Sequence, residues 1–195
     1  MADVEAFDAF TVSVARETWD TFRREPVLFL IAGVVLIAVS IVTLGVLLGP
    51  ATVGFIELTR KVRAGEPVAV SVLFSRMDTL VSSNVALFIV GVLATIGLVM
   101  LVLPGLAVIF FASWSLTAIA YGRVGGVDSL RESVALVRAF PMHTLALMFG
   151  IWILHMLGGL IVFGTLISLP LGSIAMALAY ERLAARPVVS GYVPG

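Results

Sequence analysis

TLVSSNVALFIVGVLATIGLVMLVLPGLAVIFFASWSLTAIAYG, residues 79–122, contains no Asp, Glu, Lys or Arg from end to end. About 20 residues cross a hydrocarbon core, so the stretch is long enough for two crossings and too long for one. Pro104-Gly105 stand near its middle, and such a pair is the expected punctuation where one helix stops and another turns back. The stretch predicts a helical hairpin that leaves one side of a membrane and returns to it.

Two more stretches read the same way. Residues 27–56 break at Gly49-Pro50, and residues 139–180 break at Gly158-Gly159, followed by Gly164 and Pro170. The expected turn residues are therefore Pro50, Pro104, Gly105 and Pro170. The whole is expected to be an all-α integral membrane protein, with six transmembrane helices arranged as three helical hairpins. In chain order the segments are an amphipathic interfacial helix (1–25), hairpin 1 (26–64), a cytoplasmic linker (65–78), hairpin 2 (79–122), an amphipathic linker helix (123–140), hairpin 3 (141–185) and a C-terminal tail (186–195). The acidic start, with Asp3, Glu5 and Asp8, is not that of a cleaved leader. Composition agrees with a lipid-solvated chain: 61% hydrophobic, 12% charged, mean hydropathy +1.15, against about a quarter charged in a soluble domain.

The basic residues fall into four clusters: Arg16, Arg23, Arg24; Arg60, Lys61, Arg63, Arg76; Arg123, Arg131, Arg138; and Arg182, Arg186. Out-and-back hairpins put all four on one face, and the Lys/Arg bias makes that face, and both termini, cytoplasmic. Hairpin 1 is undersized. Its legs of about 16 residues reach ~24 Å, short of a core of about 30 Å. It must thin the bilayer, extend its return leg through Glu57 to Arg63, or stop short as a re-entrant pair.

The chain also resembles itself. Arg16-Glu17, Arg23 and Pro26 match Arg131-Glu132, Arg138 and Pro141 at a constant offset of 115, and Pro50 and Pro67 match Pro170 and Pro187 at 120. Units of two crossings keep their orientation, so this is a parallel internal repeat rather than an inverted one. Each outer unit opens on an amphipathic lead-in. In the first, Phe7, Phe10, Val14 and Phe22 share a helical face opposite Arg16, Asp20, Arg23 and Arg24, with Trp19 near the edge, as suits a helix lying in the interface. In the second, Ser129-Leu-Arg-Glu132 has the form of a capping box.

Few side chains suggest chemistry. His155 is the one ionisable residue deep in a span, about 21 Å along its helix. It is a candidate proton-linked switch or gate; the plainer expectation is a neutral ring hydrogen-bonded to a neighbouring helix. Ser113, Ser115 and Thr117 are able to line a polar path, although such hydroxyls mostly bond back to their own helix. Gly45 and Gly49 form a GxxxG, and Ser173 and Ala177 lie on a small-residue stripe, both expected to serve helix packing. Trp114 and Trp152 are expected in packing or facing lipid, Tyr121 and Tyr180 in the cytoplasmic aromatic belt. There is no cysteine, and no nucleophile–base pair, metal-ligand spacing or phosphate-binding glycine loop. No catalytic residue, cofactor or metal is expected, and a net charge of zero argues against nucleic acid as a partner.

Val102-Leu-Pro-Gly-Leu106, Ser129-Leu-Arg-Glu-Ser-Val-Ala-Leu-Val-Arg138 before a span, and Phe22-Arg-Arg-Glu-Pro26 before the first resemble a group of six-span prokaryotic membrane proteins. The group includes the membrane domain attached to glycerophosphodiester phosphodiesterases and its inner-membrane relatives. The resemblance implies a six-helix fold in a prokaryotic inner membrane. It carries no activity over, because the soluble phosphodiesterase domain with its metal-binding residues has no counterpart here. The expected function is that of a non-enzymatic scaffold, structural or lipid-interacting, whose partners are membrane lipids and either further copies of itself or a membrane complex. The alternatives are a channel or transporter with a pore between repeats or protomers, and an accessory subunit of a larger complex.

Overall fold

Glu25-Pro26 is the first place where the local sequence dictates the backbone. A residue before proline is pushed out of the helical region, while proline itself fits the first position of a new helix. In the computed structural model, α1 (Ala2–Arg24) accordingly ends there and α2 (Pro26–Val42) starts, with a 93° bend between them. Phe140-Pro141 does the same between α7 (Gly126–Ala139) and α8 (Pro141–Gly159). Glu25 sits at φ −139°, ψ 60° and Phe140 at φ −133°, ψ 58°. Burial has the same phase on both lead-ins: Val14, Thr18, Thr21 and Phe22 on α1, Ser129, Ser133, Leu136 and Val137 on α7. The structure describes residues 2–100, 102–122, 125–159 and 164–185. Arg123 and the tail 186–195, with Arg186 and Pro187, lie outside the described residues, as does the side chain of Phe7.

The turn of hairpin 1 is residues 43–47, ahead of Pro50. There the Leu44 N–H bonds the Ile41 carbonyl at 3.1 Å and the Gly45 N–H bonds Ser40 at 2.7 Å, the double bond of a Schellman helix stop. Leu44 and Gly45 take φ +51° and +85°. Gly45 is thus a turn residue with no atom near its missing side chain, and the expected Gly45–Gly49 packing face does not form. Pro50 falls in the first turn of α3 (Leu48–Ala64), where no helical hydrogen bond is lost.

Hairpin 2 consists of α4 (Leu80–Met100), α5 (Val102–Phe111) and α6 (Ser115–Ala120). Pro104 and Gly105 fall in the first turn of α5, after α4 has ended at Met100. The legs touch at backbone level: a Cβ on Gly97 would stand 2.6 Å from the Gly105 nitrogen. In hairpin 3, α9 (Gly164–Ala184) contains Pro170 within it. The expectation that Pro170 marks the turn is corrected: α8 has ended by Gly159 and α9 already begins at Gly164, so Pro170 lies inside the second helix, where it packs beside Gly33 of α2.

Among the described residues four segments are long and apolar enough to cross a membrane: Val70–Val99, Val102–Ala120, Pro141–Gly159 and Leu166–Ala184. The bent pair Asp8–Arg24 with Pro26–Val42 makes a fifth if counted as one span. The fold is all-helical there, with no strand. Helices α2 and α3 have 17 residues each, and Asn84, early in α4, already donates to the Val46 carbonyl in the turn of hairpin 1 at 3.0 Å. The later turns of α4 run on with Phe88, Leu93, Ile96 and Val99 exposed.

Helix α9 forms the centre and packs against α1, α2, α3, α6 and α8. Ile174, Leu178 and Leu183 are fully buried there with Phe29, Phe55, Leu58 and Trp114. The linker between the first two hairpins is more than an interfacial strap. Its 3-10 turn Val70–Phe74 folds back along α3 so closely that a Cβ on Gly54 would sit 2.0 Å from the Leu73 carbonyl oxygen.

Candidate functional site

Two polar constellations interrupt the apolar interior. The first joins charges that are far apart in sequence. Arg63, in the last turn of α3, donates to Glu181 of α9 and, at 2.9 Å, to Glu17 of α1. Glu17 also accepts from Arg182, whose other nitrogen donates to the Ser13 hydroxyl at 2.5 Å. Tyr121, after α6, donates to Glu181 at 2.5 Å, and the Arg60 guanidinium lies 4.9 Å over its ring in a cation–π contact. The pairs retain a quarter to a third of their side-chain exposure. Two arginines and two glutamates alternate, so the lattice is neutral and each carboxylate is shared. Burial, then the hydrogen bond and negative charge of Glu181, hold the Tyr121 hydroxyl protonated well above the usual phenol range, against a weaker opposite pull from Arg60 and Arg63.

Beneath this lattice a second set of hydrogen bonds ties α7 to the core. Glu132 is 4% exposed and accepts a hydrogen bond from Tyr180. The capping box expected at Ser129 and Glu132 does not form: α7 begins earlier, at Gly126, and the Ser129 hydroxyl donates to the Gly126 carbonyl at 2.7 Å. Tyr180, expected in the aromatic belt, is fully buried, because its hydroxyl has this carboxylate to satisfy. The Ser133 hydroxyl enters the break between α5 and α6, donating to the Phe111 carbonyl at 2.8 Å and accepting from the Trp114 N–H at 3.0 Å. Insertion of a side chain into the helical ladder is a recognised cause of such a break. Trp114, buried beside it, donates from its indole to Thr144 at 3.2 Å, whereas Trp152 is exposed and stacks on Phe149.

The second constellation is a cavity of about 190 Å³ between α3, α6, α8 and α9, lined by His155, Ser113, Thr117 and Ser173 among apolar neighbours. Among the described residues His155 bonds no neighbouring helix, contrary to the expectation. Its Nδ1 faces the Ile151 carbonyl of its own helix at 2.8 Å, while the ring rests on Gly172 of α9, where a Cβ would stand 3.1 Å from Cε1. Gly172 is nine residues before Glu181, or about 13 Å, so the cavity lies well below the charged lattice. Ser115 bonds back to Ala112 at 2.8 Å, whereas the buried Ser113 hydroxyl has no partner among the described residues.

Of the residues expected in packing, Gly49 meets α4, with Ser83 Oγ 2.6 Å from where its Cβ would be. Ala177 is fully buried, and Ser173 lines the cavity. Sequence reasoning did not single out Glu17, Arg63, Glu181 or Arg182 as a unit. The one available signal was Glu17 recurring as Glu132 at the repeat offset, both turned inward. Among the described residues no three His, Asp or Glu side chains lie close enough together to hold a metal ion. No family model, curated protein or solved structure matches the chain.

Proposed function

We propose that this chain is a non-enzymatic, lipid-interacting scaffold of a prokaryotic inner membrane, built from three repeated hairpins with both termini and the ion-pair lattice in the cytoplasm. The repeat is supported by the matching kinks at Glu25 and Phe140 and by the shared burial phase of the helices that precede them. The orientation is supported by the meeting of Arg60, Arg63 and Arg182 at one end. The observation that carries the functional reading is α1. It is bent 93° from α2, buries Phe10, Val14 and Phe22, exposes Val12 and Trp19, and is pinned at Glu17 to both α3 and α9. A helix held in that attitude suits the headgroup boundary, and the short first hairpin beside it imposes a mismatch on the bilayer.

The test is reconstitution into liposomes, with leaflet exchange of a fluorescent lipid and vesicle diameter as readouts. Faster exchange or smaller vesicles in proportion to protein loading are expected, and Glu17→Ala, which unpins α1, should reduce the effect. No change in either readout at high loading sinks the proposal. A channel or transporter is the second reading, favoured by the gathering of His155, Ser113 and Thr117 around one cavity; ion and small-solute flux in wild type and His155→Ala distinguishes it.

A further inference from the structure

Among the described residues, the cavity holds one buried hydroxyl without a hydrogen-bond partner, Ser113 Oγ, on the same lining as the His155 ring. His155 Nδ1 faces a carbonyl and so carries a proton, which makes Nε2 the lone-pair nitrogen of the singly protonated ring. Among the described residues no protein group bonds Nε2, and none bonds the buried Ser113 Oγ. A buried polar atom without a partner, as Ser113 Oγ is, destabilises a fold and calls for an explanation, and His155 Nε2 is a second, partly exposed atom free to bond the same guest. The surroundings restrict what could satisfy this pair. Among the described residues no charged side chain lines the cavity, and Ile56, Leu116, Leu169 and Met176 form much of its wall. An ion would be desolvated there without a counter-charge. A purely apolar guest would leave both atoms unpaired. The volume of about 190 Å³ somewhat exceeds the ~150 Å³ cavity that accepts benzene, and the Met176 thioether offers a favourable contact for a ring.

We propose that this cavity binds a small neutral hydroxyl compound of the phenol class, taken up from the bilayer. The guest's O–H donates to His155 Nε2, its oxygen accepts from the Ser113 hydroxyl, and its ring fills the apolar part. This site is independent of the scaffold reading. Its test uses the full chain in lipid nanodiscs with ¹⁵N-labelled histidine, titrated with phenol and separately with toluene. The chain has two histidines, and His143, which does not line the cavity, serves as the internal reference.

The expected result is a saturable shift of the His155 Nε2 resonance with phenol, none at His143, and little at either with toluene. Ser113→Ala should weaken the phenol response about three- to tenfold, the worth of one hydrogen bond. The proposal is overturned if toluene moves Nε2 as phenol does, or if the response rises without saturating, as partition into lipid would. It is also overturned if Ser113→Ala leaves the affinity unchanged, or if Nε2 reports a bound water that phenol does not displace.

Discussion

Gly54→Ala tests the packing at the centre of the fold. The added Cβ would lie 2.0 Å from the Leu73 carbonyl oxygen and 2.6 Å from its carbonyl carbon. An ordinary carbon–oxygen contact is about 3.4 Å, so α3 and the 3-10 turn carrying Leu73 must part by roughly 1.4 Å. Both clashing atoms are backbone and Leu73 is fully buried, so no flexible side chain is available to yield. Overpacking of this kind costs about 1–3 kcal/mol, and the rigidity of both partners argues for the upper end. Replacing a helical glycine by alanine returns up to about 1 kcal/mol in propensity, leaving a net loss of about 2 kcal/mol. Gly91→Ala on α4 is the control, because nothing lies within 4 Å of its Cβ. The same propensity gain applies there without the clash, so the two variants should differ by about 3 kcal/mol. The assay is reversible unfolding in mixed micelles of rising denaturing-detergent fraction, followed by the fluorescence of buried Trp114. If Gly54→Ala unfolds at the same point as Gly91→Ala, the close approach of the linker to α3 is refuted.

Two further predictions concern the polar constellations. Tyr180→Phe removes the hydroxyl that serves the buried Glu132 and should cost about 1–3 kcal/mol in the same assay; an unchanged midpoint would mean that the carboxylate has an adequate second partner. Tyr121 is protonated in the fold well above its range in an unfolded chain. Below about pH 10, the ordinary tyrosine value, both states hold the proton and the contribution is fully present. Above it the unfolded chain releases the proton first, so stability should fall with rising pH. Tyr121→Phe should flatten that alkaline slope, and a slope identical to wild type would count against the Glu181 contact.

The sequence by itself determined that the chain is apolar and helical and that helices break before Pro26 and Pro141, but it misplaced the turns expected at Pro50 and Pro170. Long uncharged apolar runs point to helices long enough to cross a membrane, because a backbone in hydrocarbon must satisfy its own hydrogen bonds. Proline after Glu25 and after Phe140 ends one helix and starts the next through local sterics, with no help from the rest of the chain. Other features depended on partners distant in sequence. Glu17 meets Arg63 and Arg182 across 46 and 165 residues, Leu73 reaches Gly54, and Ser133 enters the break beside Trp114. The physical reason is that, in lipid, the outward and inward faces of a helix are equally apolar, so hydropathy carries little information about which side packs. Tyr180 and Trp152 look alike as aromatic residues in apolar runs, yet one is fully buried on a carboxylate and the other is largely exposed. Only the tertiary structure decided between them, and only it gathered His155, Ser113 and Ser173 around one cavity.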